Sequence, residues 1–288
     1  MDFDTFIDDL WERHVDDSPT VARRLSAEGL ALCREVAQVL PLARLAHHVY
    51  GDHLGQWAAG IALQQRIAAL PHADGAGRAA VQRFIASLSL AGQQGDLRDR
   101  LDAADATWAT ALAAGTLGSH DAARAGELLH DAVARFAAAG LPDEAPCTRA
   151  LAVTGNNLAA GLEEHATRSD AERELMILAA QTGRRFWALA GSWLEIERAE
   201  YRLAHSWLKA GNAGQARHHA EACLAIVGAH GDVALERFFG HEALLLAARA
   251  LGDAAAADAA STAMRSGFDT LSPDDQAWCR AALDKLAA

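Results

Sequence analysis

The sequence is poor in the residues that build sheets and disulfide scaffolds. Aromatic residues make up only 6% of its 288 residues, and no stretch alternates apolar and polar residues with the period of two typical of a half-buried strand. The four cysteines, Cys33, Cys147, Cys223 and Cys279, are far apart and never form a C-x-x-C pair. Neither a disulfide framework nor a cysteine-based zinc site is therefore indicated, and we expect the cysteines to be small buried apolar residues.

Positive charge is also scarce, and this excludes several classes of partner. The chain has 26 basic against 38 acidic residues and a formal net charge of -12, which opposes attraction to phosphate backbones and anionic lipids. The acidic start MDFDTFIDDLWER lacks the basic and apolar regions of a secretory signal, and no apolar run approaches the ~20 residues of a membrane span. We expect a cytoplasmic protein with no nucleic-acid and no membrane partner.

Alanine dominates the apolar share of 51% and indicates an all-α protein, because alanine has the highest helix propensity and lets helices approach closely. Segments with Gly, Pro, Asp or Ser interrupt the helical patterns near residues 70, 92, 118, 140, 165, 210 and 251. The distance from one break to the second next is roughly 40 residues, which is within the period range of helical-hairpin repeats. The stretch 183–211 is predicted to be one long helix.

Small and large apolar residues recur at fixed offsets within these segments. The clearest copy comprises Glu200, Leu203, Ala204, Trp207, the turn at Gly211, Ala216, Ala220 and Cys223, and weaker copies lie around Leu158, Leu244 and Leu45. In the clearest copy, large and small residues alternate on the first helix and a glycine marks the turn. Further small residues follow on the second helix. The pattern resembles the tetratricopeptide repeat (TPR) family.

The resemblance to the tetratricopeptide family implies a right-handed α-α superhelix of stacked antiparallel helix hairpins. A single TPR-like domain would span 1–288, with N-terminal helices over 1–38, divergent repeats over 39–140, clearer repeats over 150–267 and a capping helix over 272–288. Each hairpin needs its neighbours to bury its apolar face, so the stack shares one continuous core. The repeat register between 77 and 140 stays open.

Two histidine-rich segments raise the question of a metal site. His219 and Cys223 share a helix face at i and i+4, with His218 beside them, but a structural site needs more ligands than these supply. Cys223 also takes the inward position of its helix, so we expect it to be buried and unmetallated. The segment AHHVYGDH at 46–53 belongs to a chain with 13 histidines, which leaves a fortuitous site open, yet it lacks the HExxH spacing. We assign no metal ligand and no cofactor.

The sequence contains no recognisable catalytic motif. It has no G-x-S-x-G, no P-loop and no G-x-G-x-x-G signature. Glu127 to His130 is a single Glu-x-x-His without the second copy that di-iron helix bundles require. We therefore assign no catalytic residue and do not expect an enzyme.

Two function classes remain. In the first, the array is a protein-protein interaction scaffold that binds a peptide or a helical segment in its concave groove. In the second, an enclosed groove holds a small molecule or a metal, and the protein is a sensor, a carrier or an atypical enzyme. The resemblance favours the first, with an unidentified protein or peptide as partner and an oligomer possible.

The resemblance also implies which side chains line the groove, because the inner face of each first helix is offset from the residues that pack on the partner helix. The predicted groove residues are Tyr201, His205, Arg198, Asn156, Glu163, Phe239, Glu242, Arg249, His47 and Tyr50. This mixture of charged, amide and aromatic groups suits a polypeptide held by hydrogen bonds and one or two apolar anchors.

Overall fold

All regular structure in the described part of the chain is helical. The computed structural model describes residues 1–231 and 233–287, and within these ranges it contains helices and no strands, which confirms the all-α prediction. The chain divides into two compact units, Met1–Thr154 and Gly155–Ala288. Within the described residues, no helix combines the length and the apolar character needed to cross a bilayer.

The first unit begins with short helices and continues with longer ones. Its helices are α1 (Phe3–Arg13), α2 (Ser18–Arg24), α3 (Leu30–Leu32), α4 (Val36–His48), α5 (Trp57–Ala68), α6 (Gly75–Ala91), α7 (Ala103–Leu117) and α8 (Ala122–Ala138), with a 3-10 turn at Arg98–Arg100. Phe6, Leu10, Leu42 and Leu88 are among the buried side chains of its core. In the segment whose register the sequence leaves open, α6 packs on α7 and α7 on α8.

The second unit is an array of long helices. It contains the C-terminal part of α9 (Pro146–Glu164), then α10 (Asp170–Ala190), α11 (Trp193–Lys209), α12 (Ala213–Ala229), α13 (Ala234–Leu251), α14 (Ala254–Phe268) and α15 (Pro273–Ala287). Helix α11 packs on α12, α12 on α13 and α13 on α14, and α11 also contacts α13. This pattern is that of stacked helix hairpins and agrees with a helical-repeat architecture. The predicted capping segment 272–288 forms α15, while Ala288 lies outside the described residues.

One predicted element is wrong: the stretch 183–211 forms two helices. Helix α10 ends at Ala190 and α11 begins at Trp193. The cause is Ser192, whose Oγ accepts a backbone N–H of the first turn at 3.2 Å, while Oε2 of Glu195 accepts the backbone N–H of Ser192 at 2.8 Å. This Ser-x-x-Glu capping box starts a new helix, although the apolar periodicity runs across the break.

Removal of this cap has a measurable expected cost. We expect Ser192→Ala to lower the free energy of unfolding by about 1 kcal/mol, because a backbone N–H at the start of α11 loses its side-chain acceptor. Urea denaturation followed by circular dichroism measures the loss. Ser192→Thr is the control, since it keeps the hydroxyl; an equal loss in both variants would show that the hydroxyl is not the cause.

Helices α9 and α10 approach each other backbone to backbone at Gly155. A Cβ atom at Gly155 would lie 2.5 Å from the backbone oxygen of Ala179 and 2.5 Å from the backbone nitrogen of Gly183. No side chain fits in that space unless one helix moves away from the other. The two glycines therefore set the distance between α9 and α10.

The first unit also contains two π-helical turns, which apolar periodicity does not predict. They span Leu25–Gly29 and Val49–His53, and we call the latter π-turn 2. Tyr50 links the two turns, because its hydroxyl donates to the carbonyl of Ala22 at 2.9 Å and lies 2.5 Å from Oγ of Ser26. π-turn 2 continues α4 directly. Such turns inside helices are frequent at functional sites.

Candidate functional site

Four of the predicted groove residues lie together on α11 and α13 of the second unit. Tyr201 and His205 are one turn apart on α11, with ring centres 4.4 Å apart. The Tyr201 ring also meets Phe239 of α13 edge to face, at 5.7 Å between ring centres. Its hydroxyl donates to Oε2 of Glu242 at 2.6 Å. Burial, reinforced by Glu242, raises the pKa of Tyr201, so the phenol stays protonated and keeps this contact between the two helices.

The ring contacts extend onto α15 through Trp278. The centres of the Phe239 and Trp278 rings are 5.3 Å apart in an edge-to-face arrangement, and Trp278 is 66% exposed. We call Tyr201, His205, Phe239 and Trp278 the aromatic strip; it crosses α11, α13 and α15. Sequence reasoning missed Trp278 because the resemblance assigns α15 to a polar cap. The available signal was a tryptophan among the polar residues of PDDQAWCR.

The aromatic strip contains a buried polar atom without a hydrogen-bond partner among the described residues. Nε2 of His205 is buried and bonds to none of the residues that the structure describes. Burial, together with the positive charges of Arg202 and Lys209, lowers the pKa of His205 to about 4. The ring is therefore neutral at pH 7, and its free nitrogen can donate or accept one hydrogen bond, depending on the tautomer.

Glu163 also lies in the second unit, but beneath the surface. It is only 9% exposed, its carboxylate pairs with Arg202, and it accepts from Oγ of Ser206 at 2.6 Å. Burial raises the pKa of Glu163, although the charge of Arg202 opposes the shift. The structure thus places Glu163 in the contact between α9 and α11, where both carboxylate oxygens are engaged, and not on an open groove.

The remaining predicted groove residues of the second unit each have a partner. Arg198 lies 2.6 Å from Oε1 of Glu236 while its side chain is 59% exposed. Asn156 is half-buried, and its Nδ2 donates to the neighbouring asparagine at 3.3 Å. Arg249 is exposed and donates to the carbonyl oxygen of Leu286 at 2.8 Å. The two arginines therefore combine a structural contact with surface charge.

The two groove residues predicted near the N-terminus are in the core of the first unit. His47 and Tyr50 are each 5% exposed. Nε2 of His47 lies 3.0 Å from Oγ of Ser87, and burial lowers the pKa of His47 to about 4. Both residues are buried because α6 covers this face of α4 and π-turn 2 turns Tyr50 inward. Neither side chain lines a surface.

The segment around His219 and Cys223 makes two separate contacts with α11, one buried and one partly buried. Cys223 is fully buried, which confirms the predicted burial, and its Sγ donates to Oε1 of Glu197 at 2.5 Å. Nδ1 of His219 instead lies 2.7 Å from Oε2 of Glu200. Burial, with the nearby carboxylate of Glu197, raises the pKa of the Cys223 thiol. Burial also raises the pKa of Glu197 to about 7, so the pair is mostly uncharged below neutral pH.

Comparison with known proteins adds little to this geometry. No protein-family model and no curated protein matches the sequence. The chain is similar to the protein in "Crystal structure of BtubC (BKLC) from P. vanneervenii", with a TM-score of 0.44 and 17% sequence identity over 95% of this chain and 94% of that chain. A likeness of this size carries no functional argument, so the function has to be argued from the site.

Proposed function

We propose that this protein is an interaction scaffold that binds a polypeptide across the aromatic strip of its second unit. The observation that carries the proposal is the strip itself. A largely exposed tryptophan ends a row of ring contacts that also holds the unpartnered nitrogen of His205. Tryptophan and tyrosine are, with arginine, the side chains most enriched among the residues that dominate binding energy at protein interfaces.

The chemistry of the strip suggests how such a polypeptide is held. An apolar anchor side chain packs against Trp278 and Phe239, while a backbone N–H or carbonyl of the ligand bonds to Nε2 of His205 after a rotation of the ring uncovers this buried atom. Tyr201 is already fixed by its hydrogen bond to Glu242. Because that ring is ordered before the ligand arrives, binding loses less side-chain entropy. The recognition therefore combines one apolar anchor with one directed hydrogen bond.

Selection from a random peptide library, followed by calorimetric titration of the enriched peptides, tests the proposal. We expect these peptides to share a large apolar residue and to bind at least tenfold more weakly to Trp278→Ala and to His205→Ala, as interface anchors do. His205→Ala breaks no hydrogen bond of Nε2, because that atom has no partner among the described residues, although it also removes the ring contact with Tyr201.

Trp193→Ala is the matched control. Trp193 is also a partly exposed tryptophan of the second unit, but it stacks on His230, with ring centres 5.1 Å apart. We expect this variant to bind the selected peptides as the wild type does, and circular dichroism verifies that all variants keep their helices. Equal affinity of the wild type and Trp278→Ala would refute binding across the strip.

A further inference from the structure

Three histidines of the first unit converge on one point. His14 follows α1, His48 ends α4, and His53 ends π-turn 2. One nitrogen of each ring lies within 4.8 Å of a nitrogen of both other rings. The ring centres are 5.0 Å apart for His14 and His48, 5.0 Å for His14 and His53, and 4.7 Å for His48 and His53. The three imidazoles thus form a nearly equilateral triangle.

This triangle has the dimensions of a metal site. Three imidazole nitrogens bound to one tetrahedral Zn²⁺ at about 2.0 Å lie about 3.3 Å from one another, and their ring centres lie roughly 5 Å apart. Nε2 of His48 and Nε2 of His53 are 3.1 Å apart. This distance matches the expected spacing, and the ligand nitrogens of all three rings lie within 4.8 Å of one another, so adjustment of the side chains brings them to bonding distance of one ion.

Hydrogen bonds on the far side of two rings set their tautomers. Nδ1 of His48 lies 2.6 Å from Oδ2 of Asp52, and Nδ1 of His14 lies 2.5 Å from the carbonyl oxygen of Trp11. A carboxylate and a carbonyl only accept, so both Nδ1 atoms carry the hydrogen. Each neutral ring then has its lone pair on Nε2. Histidine ligands of metal ions are oriented by such bonds to carboxylates and backbone carbonyls.

π-turn 2 explains why His48 and His53 lie side by side. Residues five apart in an α-helix are rotated by about 140° from each other at 3.6 residues per turn, but they lie much closer in rotation where hydrogen bonds run from i to i+5. The bond from the N–H of Leu54 to the carbonyl of Val49, at 3.2 Å, has this spacing. A Cβ atom at Gly51 would lie only 2.7 Å from Cγ2 of a threonine on α7, so the turn is pressed against that helix.

Hydrogen bonding among the three rings alone does not satisfy them. Once His14 and His48 hold their hydrogens on Nδ1, the Nε2 atom of each of these two rings carries a lone pair. Nε2 of His53 can donate one hydrogen, to His48 at 3.1 Å, and a neutral imidazole has only one N–H. One lone pair is left over, whereas a cation at the centre engages all three nitrogens.

We propose that the first unit binds one divalent first-row transition-metal ion, of which Zn²⁺ is the reference, through His14, His48 and His53. Imidazole ligands suit Zn²⁺, Cu²⁺ and Ni²⁺. The side chain of His48 is 30% exposed, so the ion has an access route and a fourth position for water or an exchangeable ligand. Through His14 and His48, the ion links the C-terminal end of α1 to the end of α4. This site is independent of the aromatic strip, which belongs to the second unit.

Zinc titration of the 288-residue chain without an affinity tag tests the site, after treatment with a chelator. We expect elemental analysis after dialysis to find one equivalent of zinc in the wild type and none in His48→Ala or His53→Ala. Asp52→Asn, which changes the group that orients His48, is expected to weaken binding by 10- to 100-fold, as is usual for such orienting partners. His218→Ala, at an exposed histidine of α12, is expected to keep one equivalent.

A second measurement is made on the wild type, without a substitution in the histidine cluster. Nitrogen-detected NMR of the wild-type imidazoles reports which histidines change on addition of Zn²⁺, and we expect one shifted set of three rings that His218→Ala leaves intact. Absence of a stoichiometric ion in the wild type would overturn the proposal. So would one equivalent retained by a folded His48→Ala, His53→Ala double variant, or zinc-dependent shifts confined to His218 and His219.

Discussion

Gly155→Ala is expected to lower the free energy of unfolding by about 3 kcal/mol, at the upper end of the usual cost of overpacking. The added methyl group meets the backbone atoms of Ala179 and Gly183, each 2.5 Å from the Cβ position. Backbone atoms cannot rotate away as a flexible side chain can. The helices α9 and α10 must therefore separate, and contacts along their whole interface weaken.

The same helix supplies a matched control, Gly161→Ala. Gly161 is exposed, and nothing lies within 4 Å of its Cβ position. Alanine has a higher helix propensity than glycine, so we expect this variant to gain roughly 0.5–1 kcal/mol. Urea denaturation followed by circular dichroism compares the two variants. A loss of similar size in both would show that the effect comes from glycine replacement in α9 and not from the contact with α10.

Glu197→Gln is expected to raise the free energy of unfolding by about 2 kcal/mol at pH 8 and to change it little at pH 5. Burial raises the pKa of Glu197 from 4.5 to about 7, so the folded state favours the protonated carboxyl. The stabilisation from this group is complete below about pH 4.5 and is lost as the pH rises through about 7. Glutamine stays neutral at every pH and still accepts the hydrogen bond from Cys223.

Denaturation of the wild type and the variant between pH 5 and pH 8 measures the difference. Glu163, whose pKa burial also raises, is unchanged in both proteins, so the comparison isolates Glu197. Glu174→Gln, at an exposed position of α10, is the control and is expected to shift stability by less than about 0.5 kcal/mol at either pH. A stability gap between wild type and Glu197→Gln that widens as the pH falls would contradict the assignment.

The aromatic strip shows which residues of a candidate binding surface a repeat pattern can predict. The repeat pattern assigns Leu203 and Trp207 to packing between helices. The positions offset from them predict that Tyr201, His205, Phe239 and Glu242 share one surface, and the structure brings these four residues together. The same offset places Glu163 on the groove, where the structure instead pairs it with Arg202. A repeat pattern states which side of a helix a residue occupies, but how deeply it is buried depends on the neighbouring helix.

The sequence did not predict the cluster of His14, His48 and His53, and the reason is different. His48 and His53 do not share a face of an α-helix, and only the i to i+5 geometry of π-turn 2 brings them close in rotation. His14 belongs to another helix altogether. The segment AHHVYGDH does display the histidines, but no spacing rule for α-helices selects this pair from it.

The sequence by itself determined the helical class, the breaks near residues 70, 92, 118, 140, 165, 210 and 251, and the burial of Cys223. These features depend on local properties: alanine content, apolar periodicity, and Gly, Asp and Ser at the breaks act within one or two turns of the chain. Even the missed break at Ser192 had a local signal in its capping box. Local rules suffice because helix hydrogen bonds join residues only four apart.

Only the tertiary structure decided the division into two units, the burial of His47 and Tyr50, the exposure of Trp278 and the convergence of the three histidines. Each of these features depends on the distance and angle between helices that are far apart in sequence. Those distances follow from contacts such as Gly155 against Gly183 and Gly51 against α7, where the absence of a side chain permits an approach that composition does not reveal. Interhelical geometry arises from the packing of the whole array, because no single segment encodes the position of its partner.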